Sequence, residues 1–193
     1  MSDRPPWERP LGAIPERAGR TTFRVGAPRA REVSVEVGGR SVPLTPDDGV
    51  FEGRADAVPG DDCRYRLDGG AALPDPCSRD QPEGVRGPSR VVDPEAVAWD
   101  EDAWAGLDRR GLVLDEMHVG TFTPEGTFAA AAERLPALAE LGVTAIELMP
   151  VATFPGRRNW GYDDLYAWAP HRAYGGPEGL ASSWPRPTAR GSA

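Results

Sequence analysis

Basic charge is in short supply: 22 Lys and Arg stand against 30 Asp and Glu, for a formal net charge of -8. A nucleic-acid partner needs clustered positive charge to meet the phosphates, so that class is excluded. Cysteine and histidine are scarcer still. Cys63 and Cys77 lie far from CxxC spacing and only His118 and His171 accompany them, so no zinc-site pattern assembles and both thiols are expected to be free and reduced. No apolar run approaches the roughly 20 residues that span a bilayer. The opening MSDRPPWERP has neither the basic start nor the apolar core of a secretory signal, which points to a cytoplasmic chain with no membrane partner. GxGxxG, GxxxxGKS/T and GxSxG are missing as well, leaving dinucleotide, P-loop and serine-esterase readings without a residue to stand on.

What the chain does have is 23 glycines, 21 prolines and 39% hydrophobic residues over 193 positions, enough to bury a core and suited to many short strands and turns. From Thr21 the runs TTFRVGAP, REVSVEVGG, GVFEGRADAVPG and CRYRLDGG read as strands separated by Gly, Pro or Asp-Gly. A spacing of roughly 8 to 12 residues is that of an antiparallel sandwich, which is assigned to residues 1–75. Side chains alternate along a strand, so Val33, Val35 and Val37 are expected on one face with Ser34 and Glu36 on the other. In residues 76–110 proline, glycine and charge deny any regular period, and an extended linker packed over a domain junction is expected. Its Trp99 and Trp104 have aromatic faces for a ligand, but tryptophans in such segments more often anchor them to a neighbouring surface.

After Gly111 the pattern becomes β, loop, α, β, assigned to residues 111–180. LVLDEMHVGTF and VTAIELMPV carry the apolar runs of two buried parallel strands. Between them Thr127 caps a helix whose apolar positions include Phe128, Leu135, Leu138 and Leu141, and Gly142 ends it. Such a unit opens either a (β/α)8 barrel or an open α/β sheet, and the pattern does not choose between them. In both, ligands sit at the carboxyl ends of the strands. The loop after the second strand, PVATFPGRRNWGYDDLYAWAPHRAYGG, exceeds the roughly 12 to 15 residues beyond which irregular loops are commonly functional. Phe154, Trp160, Tyr162, Tyr166, Trp168 and Tyr174 offer faces for sugar rings beside Arg158, Asn159, Asp163 and Asp164; the alternative is that they only pin the loop down. Asp115, Glu116, Glu125, Glu147, Asp163 and Asp164 are the candidate carboxylates for cleaving a glycosidic bond. None forms a persuasive pair across one bond, where roughly 5 Å or more is needed, and Glu147 reads as an inward polar core position.

DEMHVGTFTPEGTF, LGVTAIELMPVATFPGRRNWGYD and YGGPEGL resemble the opening of the catalytic barrel in the malto-oligosyltrehalose trehalohydrolase family, within the α-amylase superfamily (glycoside hydrolase family 13). TFRVGAP and LDGGAALPDPCSRDQPEGVRGPSRVVD resemble that family's N-terminal sandwich and linker. The resemblance covers about residues 11–180 and is more specific than the likeness to 1,4-α-glucan branching enzymes, which share the plan. It implies a multi-domain β plus α/β chain, in which an immunoglobulin-like β-sandwich precedes the first strands of a (β/α)8 TIM barrel. It also implies hydrolysis of the α-1,4 bond next to the terminal trehalose unit of maltooligosyl trehalose, releasing trehalose, with retention and without a cofactor. Tyr162 in WGYD then corresponds to the tyrosine that stacks on the sugar at the cleavage subsite, with Trp160 and Asp163 nearby. The partner is that substrate or a related α-glucan, and no oligomeric state is implied.

Three positions depart from the family pattern. Gly26 replaces a tryptophan, which removes sandwich packing; Asp115 replaces a tyrosine, which puts a charge at a partly buried strand position; Asp164 stands where glycine is common. The family's nucleophile, acid/base and transition-state carboxylates come from later strands, so no catalytic residue is expected here. The chain is expected to be inactive alone and its barrel part to fold poorly. Beyond GGPEGL, residues 181–193 (ASSWPRPTARGSA) show no helical period, and a frameshift is the expected cause. A non-catalytic α-glucan-binding module is the remaining reading.

Overall fold

Gly38-Gly39 (φ 56° and 73°) and Asp48-Gly49 (φ 50° and 79°) supply the paired positive φ values of two-residue turns whose twist matches the strands they join. Both close hairpins here. The computed structural model describes residue 8, residues 10–97 and residues 106–183, and over them the chain is β-rich with few, short helices. The strands of the first half are β1 (Gly12–Pro15), β2 (Arg20–Gly26), β3 (Val33–Val37), β4 (Arg40–Pro43), β5 (Thr45–Asp47), β6 (Val50–Asp56), β7 (Asp62–Leu67), β8 (Ala72–Leu73) and β9 (Ser89–Arg90). One sheet runs β1-β2-β6-β5 and the other β4-β3-β7-β8, with β9 also on β7.

The two sheets share one core. Val33, Val35 and Val37 are buried while Ser34 and Glu36 are half-exposed, and the valines meet Phe23, Phe51, Ala55, Cys63 and Tyr65. Cross-strand ion pairs link neighbouring strands: Arg24 to Glu52 at 2.6 Å, and Arg90 to Asp62 with two bonds of 2.8 and 3.2 Å. Gly26 corrects an expectation. It is exposed, with nothing within 4 Å of where a Cβ would stand, so its missing side chain leaves no hole in the core.

The segment after β8 is irregular yet largely buried, and a polar network explains how. The Asp75 N–H donates to Ser89 Oγ (2.9 Å), the Cys77 N–H to Asp75 Oδ1 (2.8 Å), Ser78 Oγ to the Asp80 carbonyl (2.8 Å) and Gln81 Nε2 to Ser89 Oγ (3.2 Å). Buried polar groups are tolerated when paired in this way. The expectation for Trp99 and Trp104 lies outside the described residues.

The second half contains β10 (Leu114–Met117), α1 (Val119–Phe122), α2 (Phe128–Ala132), α3 (Leu135–Glu140), β11 (Ala145–Leu148), β12 (Ala152–Thr153), β13 (Tyr166–Pro170) and α4 (Gly176–Ser183). β10 and β11 pair in parallel, and no third strand joins them among the described residues. The expected burial of these strands is therefore not met: Leu112, Val113 and Leu114 are 43%, 50% and 51% exposed. Glu147, read as a core position, is exposed too, in register with exposed Glu116.

The single helix expected between Thr127 and Gly142 is two, α2 and α3. Thr127 does cap the first, its Oγ1 accepting from the Ala130 N–H at 3.3 Å. Pro136 has no N–H to offer the preceding turn, so the ladder breaks and restarts at Leu135. Leu141, the last apolar position of the expected helix, is 80% exposed, and no residue of α3 is fully buried. GGPEGL does open a helix, but α4 runs on through Ser183, past the break in pattern assigned to residue 181. Residues 184–193 of the anomalous tail lie outside the described residues.

Candidate functional site

The long loop after β11 is more ordered than its composition suggests. β12 pairs with β13, and Thr153 Oγ1 donates to the Ala169 carbonyl at 2.8 Å. Beneath them the aromatics pack on one another. Phe154 stacks on His171 with centroids 3.7 Å apart and planes 8° from parallel, and the Tyr174 ring lies 5.7 Å from both. Val119 and Phe128 complete this small core, tying the loop to α1 and α2. His171 accepts at Nδ1 from the Ala173 N–H (2.9 Å), which leaves Nε2 to donate to the Phe154 carbonyl (3.2 Å). Burial holds its pKa below the usual histidine value.

The loop is also fastened to the first half of the chain. Arg172 makes a two-pronged ion pair with fully buried Asp80, its Nε donating to Oδ1 at 2.8 Å and its Nη2 to Oδ2. The Tyr166 hydroxyl donates to the Val85 carbonyl at 2.9 Å.

These contacts sort the aromatics of the loop. Phe154 and Tyr174 are core and Tyr166 is a tether, whereas Trp160 (84% exposed), Tyr162 (77%) and Trp168 (69%) face outward. Trp168 lies apart, on a groove of about 480 Å³ shared with Val91, Val97, Pro170, Leu180 and Ala181. Trp160 and Tyr162 belong together, because Gly161 between them turns inward (φ 93°), buried against Met149 and Pro150. The rings on either side of Gly161 stand in solvent. Asp163 follows them and is exposed.

Asn159 sets this turn. Its Oδ1 accepts from the N–H groups of Gly161 (2.9 Å) and Tyr162 (3.3 Å), and its Nδ2 donates to Asp164 Oδ1 at 3.4 Å. An Asx turn of this kind mimics a backbone turn. The Asn159 carbonyl in turn accepts from His118 Nε2 at 2.9 Å, at the carboxyl end of β10. Since a carbonyl only accepts, Nε2 carries the proton, and Nδ1 faces Thr121 Oγ1 at 3.1 Å. From sequence alone His118 enters only in the exclusion of a zinc site; the signal for its observed place is the histidine directly after a strand, opposite an Asn-x-Gly turn.

The carboxylates do not gather into a hydrolytic pair among the described residues. Glu116, Glu125, Glu147 and Asp163 are exposed, and Asp115 and Asp164 half-buried. Burial, and after it the neighbouring Asp163, pushes the Asp164 carboxyl above its ordinary value. A proton donor for a glycosidic oxygen needs such a raised pKa together with a second carboxylate across the bond, and Asp164 instead takes its hydrogen bond from Asn159.

No family model matches the chain. Curated relatives do. Malto-oligosyltrehalose trehalohydrolases of Saccharolobus solfataricus and Deinococcus radiodurans are 45% and 46% identical over 82% and 88% of this chain. The chain spans only 29% and 28% of the length of those two proteins. A 1,4-alpha-glucan branching enzyme of Xanthomonas oryzae is 33% identical over 83% of the chain and 25% of its own length. A crystal structure from Salmonella typhimurium carrying the alpha-amylase name superposes with a TM-score of 0.81 at 42% identity, over 90% of this chain and 31% of that one. No helix among the described residues is long and apolar enough to cross a membrane. By sequence the chain resembles the malto-oligosyltrehalose trehalohydrolases, and what it matches is their N-terminal part.

Proposed function

We propose that the chain contributes an α-glucan-binding surface to a glycoside hydrolase that cleaves the α-1,4 bond next to the terminal trehalose unit of maltooligosyl trehalose. The observation that carries this reading is the loop held by Asn159, which presents Trp160 and Tyr162 to solvent beside Asp163. Aromatic faces with adjacent polar groups suit a sugar, whose C–H face packs on the ring while its hydroxyls bond at the edge. In this reading residues 1–75 are the sandwich, 76–110 the linker, which lends β9 to the sandwich, and β10, the helices and β11 the first part of a (β/α)8 barrel within residues 111–180. The substrate loop then sits at the carboxyl end of the second strand, where such barrels bind ligands. The carboxylates among the described residues form no hydrolytic pair, so this reading assigns the described residues binding and not cleavage. The branching-enzyme reading ranks second because its identity is 33% against 45% and 46%.

Affinity electrophoresis of the 193-residue chain through an amylose gel tests the reading. Expected are retardation that maltoheptaose abolishes and no release of trehalose from maltooligosyl trehalose. Unretarded migration would remove the binding claim, and trehalose release would remove the claim that chemistry lies elsewhere.

A further inference from the structure

We infer that Asn159, braced from behind by His118, is a positioning residue for the Trp160 and Tyr162 platform; the inference rests on the α-glucan reading of that site. Rings that are 84% and 77% exposed have too little packed around them for burial to fix their direction. Their orientation comes from the backbone that carries them, and one side chain holds that backbone. Asn159 Oδ1 accepts from the two successive N–H groups of Gly161 and Tyr162, at 2.9 and 3.3 Å, and its Nδ2 donates to Asp164 at 3.4 Å. Gly161 seats inward on Met149 and Pro150, a conformation (φ 93°) that the two Asn159 bonds hold in place. The fourth bond leaves the loop altogether. His118 Nε2 donates to the Asn159 carbonyl at 2.9 Å across 41 residues of sequence, and His118 is anchored between buried Met117 and Val119. The turn is thereby referred to the end of β10 and does not float with the loop.

A platform ordered before the ligand arrives spares the ligand the cost of ordering it, and that difference appears as affinity. Loss of the Asn159 side chain frees the turn while leaving both rings present. Loss of the His118 imidazole frees the turn's base, and a glutamine there restores a donor close to the place of Nε2.

Titration calorimetry with maltoheptaose, paired with thermal unfolding of each variant, tests this on the whole 193-residue chain. N159A is expected to bind about tenfold more weakly with an unchanged unfolding midpoint, H118A to fall between it and the wild type, and H118Q to bind like the wild type. N159A binding like the wild type while W160A loses binding would overturn the positioning role and leave the site standing. Weakened binding that always accompanies a lowered midpoint would overturn it too, since the residue would then be merely structural. W160A and Y162A both binding like the wild type, or no binding by the wild type, would overturn the α-glucan site and the positioning role together.

Discussion

Raising the pH from about 4 to about 7 should weaken the sandwich through Asp75. This side chain is 1% exposed, and burial pushes its carboxyl from 3.8 up to about 6 against the pull of the Cys77 N–H, Arg79 and the Ala13 N–H. Between those values the folded chain holds a proton that the unfolded chain has released. The stabilisation is therefore complete below about pH 4 and is lost as the pH climbs through about 6. Roughly two pH units at about 1.4 kcal/mol each amount to about 3 kcal/mol, a large share of the stability of a small domain. The other groups that face Asp75 do not titrate in this window: burial pushes Cys63 to about 12, and raises Tyr65 and Cys77 above their ordinary values. Asp75→Asn keeps an oxygen for the Cys77 N–H, now 2.8 Å from Oδ1, and cannot ionise. Urea unfolding followed by circular dichroism would compare the two proteins at about pH 4 and about pH 7.5, with D75N gaining on the wild type by up to about 3 kcal/mol at the higher pH. Carboxylates common to both proteins cancel in that difference. A gap that does not change with pH, or a D75N that is the weaker protein at the higher pH, would refute the reasoning.

The two thiols should separate under a disulfide-exchange reagent near neutral pH. Cys77, half-buried, reacts in the folded chain, while Cys63, 2% exposed with its thiol pushed to about 12, reacts only in denaturant; a folded chain titrating both at one rate contradicts this. Arg172→Ala should cost about 3 kcal/mol because it strands the fully buried Asp80, the low end of the usual range because Arg172 itself is 34% exposed. An unchanged thermal midpoint for R172A would show that the pair does not hold the two halves together.

The longer strands of the sandwich were legible because sequence and packing agree there. Val33, Val35 and Val37 alternate, and Gly-Gly and Asp-Gly mark the turns that fold the strands back. β8 and β9 are only two residues long, too short for any period, and β9 draws its place from its pairing with β7, a contact distant in sequence. Pro136 marks the helix break in the sequence, but the apolar spacing from Phe128 to Leu141 runs straight through it. In the site, the tryptophan and tyrosine of WGYD stood out, but composition had no means of telling exposed Trp160 and Tyr162 from buried Phe154 and Tyr174 in one irregular loop. That sorting depends on which rings reach Val119, Phe128 and His171, residues distant in sequence or set in the same irregular loop.

The Asp80–Arg172 pair spans 92 residues of chain. At the usual pace of synthesis, roughly 5 to 20 residues per second, Asp80 leaves the ribosome roughly 5 to 20 seconds before its partner. During that interval the nascent sandwich carries, at a position that the finished molecule seals completely, a carboxylate without its counter-charge. The emerging chain would then keep this seam open until Arg172 arrives, so closing it follows the folding of the sandwich strands that precede Asp80.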